Sequence, residues 1–121
     1  DALNARMLDV DIPYHHPRLL DDAADAFAEF LEALHWKQPL CPIVSSIDQG
    51  LLTSAEDLRH FSARNLATPI NWERVAAALY ARGVRKAVEC GPGISLTQNG
   101  RFMPFHIDYV NVKTADRKLG L

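Results

Sequence analysis

Two adjacent imidazoles, His15 and His16, stand between two prolines in the segment Asp11-Ile12-Pro13-Tyr14-His15-His16-Pro17-Arg18-Leu19-Leu20. Imidazole is the side chain that titrates closest to neutral pH, so a histidine held at a strand-to-helix junction can take a proton and return it. Pro13 biases Ile12, and Pro17 biases His16, toward extended backbone, and Pro17 can also open a helix. The spacing predicts both histidines on stiff, non-helical chain with their side chains on opposite sides. The pair by itself proves little, since two histidines exposed in a loop are the commoner case.

A histidine base usually serves a nucleophile. The nearest approach to a Gly-x-Ser-x-Gly elbow is Gly93-Ile94-Ser95-Leu96-Thr97, where Thr97 occupies the place of the second glycine and would crowd the tight turn. Ser95 reads instead as the N-cap of a short helix, with Gln98 completing a capping box. Cys41 and Cys90 border apolar runs that look like strands, and parallel pairing of those runs would hold the sulfurs too far apart for a disulfide. Both read as buried, inert free thiols. Asp21, Asp22 and Asp25 could join the histidines around a metal, but acidic residues crowd the first turn of many helices because the backbone dipole favours anions there.

The elements that must position this chemistry follow from periodicity. Leu8, Val10 and Ile12 alternate with Asp9 and Asp11, as in a strand with one wet face that delivers the histidines. From Arg18 to Trp36 the apolar residues recur at three and four positions, the period of an amphipathic helix. Ile43-Val44-Ser45-Ser46-Ile47 reads as a short strand stopped by Asp48-Gln49-Gly50. Thr53-Ser54-Ala55-Glu56 fits a capping box opening a second helix that Thr68-Pro69 stops. A third helix begins near Asn71-Trp72 and has Gly83 placed for its C-terminal cap. Lys86-Ala87-Val88-Glu89 reads as a buried strand ending in Cys90-Gly91-Pro92-Gly93. A strand, two helices and a strand require a crossover, which predicts parallel pairing in an α/β sheet. Phe105, Ile107 and Tyr109, then Val110 and Val112, suggest extended chain in the tail.

A chain of 121 residues with 48% hydrophobic and 23% charged residues fits one folded domain. A net charge of -2 without a basic cluster argues against nucleic-acid binding. No apolar run approaches the ~20 residues that span a bilayer and no leader pattern opens the chain, so a cytoplasmic location is expected.

The ordered segments Ile12-Pro13-Tyr14-His15 with Pro17 and Leu19, Cys41-Pro42-Ile43-Val44-Ser45-Ser46-Ile47-Asp48, Asn65-Leu66-Ala67-Thr68-Pro69-Ile70-Asn71-Trp72, and Glu89-Cys90-Gly91-Pro92-Gly93 with Leu96-Thr97 together carry a resemblance. Over about residues 5 to 98 the chain resembles the C-terminal part of malonyl-CoA:acyl carrier protein transacylases and the acyltransferase domains of polyketide synthases. The resemblance implies an α/β-hydrolase-like acyltransferase fold, with a short parallel sheet flanked by helices. It divides the chain into an acyltransferase portion, residues 1–100, and a tail, 101–121, without a recognised counterpart. It also implies Ser-His ping-pong transfer of a malonyl-type group from CoA to the phosphopantetheine thiol of an acyl carrier protein, in fatty acid or polyketide biosynthesis, without a cofactor or metal.

In that scheme His15 is the general acid/base, Asn71 orients it through a backbone carbonyl, and His16 has no chemical role. The family's serine elbow, glycine-rich oxyanion segment and malonyl-binding arginine have no counterpart here. The chain therefore reads as half an active site, in need of the N-terminal half of the acyltransferase domain and inactive alone. Alternatives are a non-catalytic carrier-protein docking module using Arg18, Arg82, Arg85 and Lys86, an acyl hydrolase or malonate decarboxylase transacylase relative, and a small metal hydrolase built on the two histidines.

Overall fold

The computed structural model of the protein describes residues 11–114, which group into two compact units, residues up to Ile70 and residues from Asn71 onward. The alternating run that begins at Leu8 falls mostly outside the described residues, and its last member, Ile12, lies in irregular chain.

In the first unit, tight turns from Pro13 to Leu19 lead into helix α1, Asp21–Glu32. The helix is shorter than its apolar period suggests. Turns precede it, and beyond it the Trp36 Nε1–H donates to the Leu31 carbonyl at 2.9 Å, closing the end where carbonyls lack helical partners. Its stripe buries Leu31, while Phe27 and Phe30 stack on each other at 6.3 Å and stay exposed.

Strand β1, Ile43–Val44, then turns through residues 45–50 and pairs antiparallel with β2, Leu51–Leu52. This corrects the longer strand and the parallel crossover expected for it. The buried Ser45 diverts the chain: its Oγ accepts the amides of Ile47 and Asp48, the Asp48 carboxylate accepts the Gly50 amide, and Gln49 takes the left-handed conformation. A hairpin forms where a crossover was predicted.

Helix α2, Ala55–Asn65, is opened by a capping box one residue later than read from sequence: Ser54 Oγ accepts the Asp57 amide, and the Asp57 carboxylate accepts the Ser54 amide. Arg59 on α2 reaches Glu32 on α1 at 3.3 Å while also holding Glu56.

In the second unit, helix α3, Trp72–Ala81, is capped by the Asn71 side chain, and Gly83 takes a φ of 90° just past its end, the conformation predicted for a C-terminal glycine. Arg85 lies 3.7 Å over the Tyr80 ring and donates to the Tyr80 and Val84 carbonyls; Arg82 donates to Ala78. Two of the guanidinium groups considered for docking thus close the end of α3.

Strand β3, Lys86–Glu89, is paired in parallel by β4, Asp108–Asn111, so the tail supplies the crossover partner that had been sought in β1. Ile107, Tyr109 and Val110 are buried there together with Asn111. Helix α4, Ser95–Asn99, lies on the connection. Cys41 and Cys90 are free and exposed, against the buried setting expected of them. Both flank strands of only two to four residues, too short to cover their own ends.

Candidate active site

His15 has a φ of 61°, the left-handed region, where it had been expected on extended chain. Histidine enters this region more readily than most side chains, yet a β-carbon there still costs free energy that its surroundings must offset. The offset comes from the C-terminal end of α2. The His15 amide donates to the Leu66 carbonyl at 3.0 Å, and its Nδ1 meets the Asn65 carbonyl oxygen at 2.6 Å. The last carbonyls of a helix have no amide to receive, so two free acceptors converge on one residue.

A carbonyl only accepts, so the contact assigns the proton to Nδ1. Nε2 is left with its lone pair, the state in which an imidazole acts as a base. The residue is half-buried, and its ring is held through Nδ1.

The carbonyl that meets His15 Nδ1 is that of Asn65, where the sequence reading had named Asn71. The Asn71 carbonyl receives the Val75 amide at 3.1 Å, and its Oδ1 receives the Arg74 amide at 3.0 Å, so both acceptors serve the first turn of α3. Asn65 ends one helix and Asn71 begins the next, and only a helix end presents unused carbonyls. That rule, applied to the stop at Thr68-Pro69, was the available signal for Asn65. His16 is exposed, and its Nδ1 accepts the Arg18 amide at 3.2 Å, a local turn contact.

No family model matches the chain. It is 30% identical over 92 residues to the malonyl CoA-acyl carrier protein transacylase of Bacillus subtilis (strain 168), a match spanning 76% of this chain and 29% of that protein. It is also 30% identical over 95 residues to the mitochondrial malonyl-CoA-acyl carrier protein transacylase of Homo sapiens, spanning 75% of this chain and 24% of that protein. The chain is related to the malonyl-CoA:acyl carrier protein transacylases. It spans less than a third of the length of either curated relative. A solved malonyl-transacylase in complex with a type II PKS acyl-carrier protein superposes on it with a TM-score of 0.79 at 31% identity, over 87% of this chain and 34% of that one. The fold is accordingly an α/β acyltransferase fold.

In this transacylase relative the Glu-Cys-Gly-Pro-Gly segment has a structural explanation. The buried Glu89 carboxylate accepts the Leu96 amide at 2.9 Å, the Thr97 amide at 3.1 Å and the Thr97 hydroxyl at 2.6 Å. The Thr97 hydroxyl foremost, then the two amides, hold its carboxyl below the ordinary value of 4.5 against the opposing effect of burial. Ser95 is therefore not the cap predicted for α4. Ile94 occupies that position, and Glu89 receives the amides from across the glycine turn. The Gly93 carbonyl accepts Asn111 Nδ2 at 2.7 Å, tying that turn to β4.

Proposed function

We propose that this chain carries the histidine of a Ser-His acyl transfer from malonyl-CoA to the phosphopantetheine thiol of an acyl carrier protein. The observation that carries the proposal is the 2.6 Å contact between His15 Nδ1 and the Asn65 carbonyl, which leaves Nε2 as the basic nitrogen. The nucleophilic serine and the oxyanion donors are supplied by protein outside these 121 residues, as in the half-site reading of the sequence. That portion would cover the exposed side chains of Leu19, Phe30 and Leu40.

In the forward step the serine Oγ–H passes its proton to His15 Nε2 while Oγ bonds to the thioester carbon. The tetrahedral centre collapses, the C–S bond breaks, and the leaving CoA sulfur takes the proton from Nε2. The carrier-protein thiol then gives its proton to Nε2, attacks the acyl-serine ester, and Oγ is reprotonated as it leaves. His15 thus returns to its starting state after each half-reaction. The Asn65 carbonyl stabilises the imidazolium formed in between and prevents the ring from turning.

The test is transfer of labelled malonyl from malonyl-CoA to a carrier protein, with the chain alone and joined to a serine-bearing transacylase portion. The chain alone should be inactive, since loss of a single oxyanion donor costs about 100- to 1000-fold and here the nucleophile is lacking too. In the joined protein His15→Ala should lower kcat by about 100-fold or more, and His16→Ala by only a few-fold. Equal effects of the two substitutions would refute the assignment.

A further inference from the structure

We infer that Ser46 is a positioning residue for His15, acting through the side chain of Asn65. The inference rests on the reading of His15 as the base and extends it to a segment that reading leaves unused. Ser46 Oγ donates to Asn65 Oδ1 at 3.0 Å, while the main-chain oxygen of the same asparagine meets His15 Nδ1 at 2.6 Å. One residue therefore takes a hydrogen bond on its side chain and another on its backbone. Fixing the first constrains the second, because both oxygens hang from one Cα.

Asn65 is in particular need of such a tie. It is the last residue of α2, where helical hydrogen bonding runs out and the final turn is free to unwind. A carbonyl that swings as the helix end frays cannot hold an imidazole in one tautomer. Ser46, by contrast, stands on a rigid post. Its neighbour Ser45 is 2% exposed, binds the amides of Ile47 and Asp48 through Oγ, and exchanges backbone hydrogen bonds with Gln49 and Gly50. The hairpin turn thereby transmits its stiffness to the helix end, and the helix end to the ring.

The chain of contacts is hairpin, Ser46, Asn65, His15. A hydrogen bond that merely joins the hairpin to α2 would add stability and leave the ring indifferent, and this difference decides the experiment. Nitrogen-15 shifts of the imidazole in the 121-residue chain report which ring nitrogen carries the proton, without any need for activity. In the wild type the two His15 ring shifts should be widely separated, with Nδ1 protonated. In Ser46→Ala they should draw together as the second tautomer becomes populated, and Ser46→Thr, which keeps the hydroxyl, should restore the separation. Asn65→Ala removes the acceptor but retains the carbonyl, so it should reproduce Ser46→Ala, and the double variant should add nothing further.

In the protein joined to a serine-bearing portion, Ser46→Ala should lower kcat about fivefold, the equivalent of one ordinary hydrogen bond, with KM within about twofold. Ring shifts unchanged in a folded Ser46→Ala, or a Ser46→Thr that behaves like alanine, would overturn the inference. Should Ser46→Ala fail to fold, Asn65→Ala carries the same expectation and the same refutation. The ring shifts respond to Ser46 even if His15 proves not to be the base, so this inference and the proposed function fail separately.

Discussion

Replacing His15 by glycine and by alanine separates the chemistry of the ring from the conformation of its backbone. Both substitutions remove the imidazole and its contact with Asn65, and both keep an amide that can donate to Leu66. They differ in the β-carbon. At the observed φ of 61° a β-carbon costs about 1–2 kcal/mol, because it approaches the following carbonyl oxygen. Glycine escapes that cost but has a freer unfolded chain, which disfavours folding by about 0.4–1 kcal/mol. The difference leaves His15→Gly more stable than His15→Ala by about 1 kcal/mol. For a chain of this length that is about 4 °C in melting temperature. Thermal melts of the two variants, followed by circular dichroism at one pH and concentration, measure it. Neither variant should support acyl transfer in the joined protein. If His15→Ala is as stable as His15→Gly or more so, the left-handed conformation is not being held against a cost. The argument that the end of α2 forces the ring into place would then be wrong.

Gly100→Ala should destabilise the second unit by about 1–3 kcal/mol, because the added methyl would stand 2.5 Å from the ring of the buried Tyr109; a melt indistinguishable from wild type would show that the ring can yield. Glu89 should make stability depend on acid. Its carboxyl is held below its ordinary value of 4.5, so its contribution is complete above that pH and is lost as the pH falls through the depressed value. The gap in stability between wild type and Glu89→Gln, followed by urea denaturation, should therefore narrow below about pH 4.5, and a gap constant from pH 7 to about pH 3 would contradict the assignment.

Helices α2 and α3 were legible because their signals are local. The capping-box pattern at Thr53 to Glu56, one residue ahead of the box that Ser54 and Asp57 form, the helix start near Asn71-Trp72, and Gly83 past the end of α3 act over one helical turn, and no distant contact is needed to interpret them. The position of β3 was equally plain, although Lys86 and Val88 are exposed where a buried strand was read, and the candidacy of His15 needed only residue type, flanking prolines and an ordered set of family-like segments. The helix and strand signals are written within a few residues of where they are used.

Pairing and orientation were not written there. Whether Ile43–Val44 joins a hairpin or a crossover depends on whether residues 45–50 can close a turn, and the buried Ser45 with its bound amides settles that only in the folded chain. The period of α1 marks an apolar face but does not state what covers it, so Leu31 is buried while Phe30 remains exposed. Asn65 and Asn71 look alike in the sequence, each beside a helix boundary and within one motif. The stop at Thr68-Pro69 sets Asn65 near a helix end and Asn71 near a helix start, but the contact of the Asn65 carbonyl with a residue fifty positions away, and the link from Ser46 to its side chain, exist only in the folded chain.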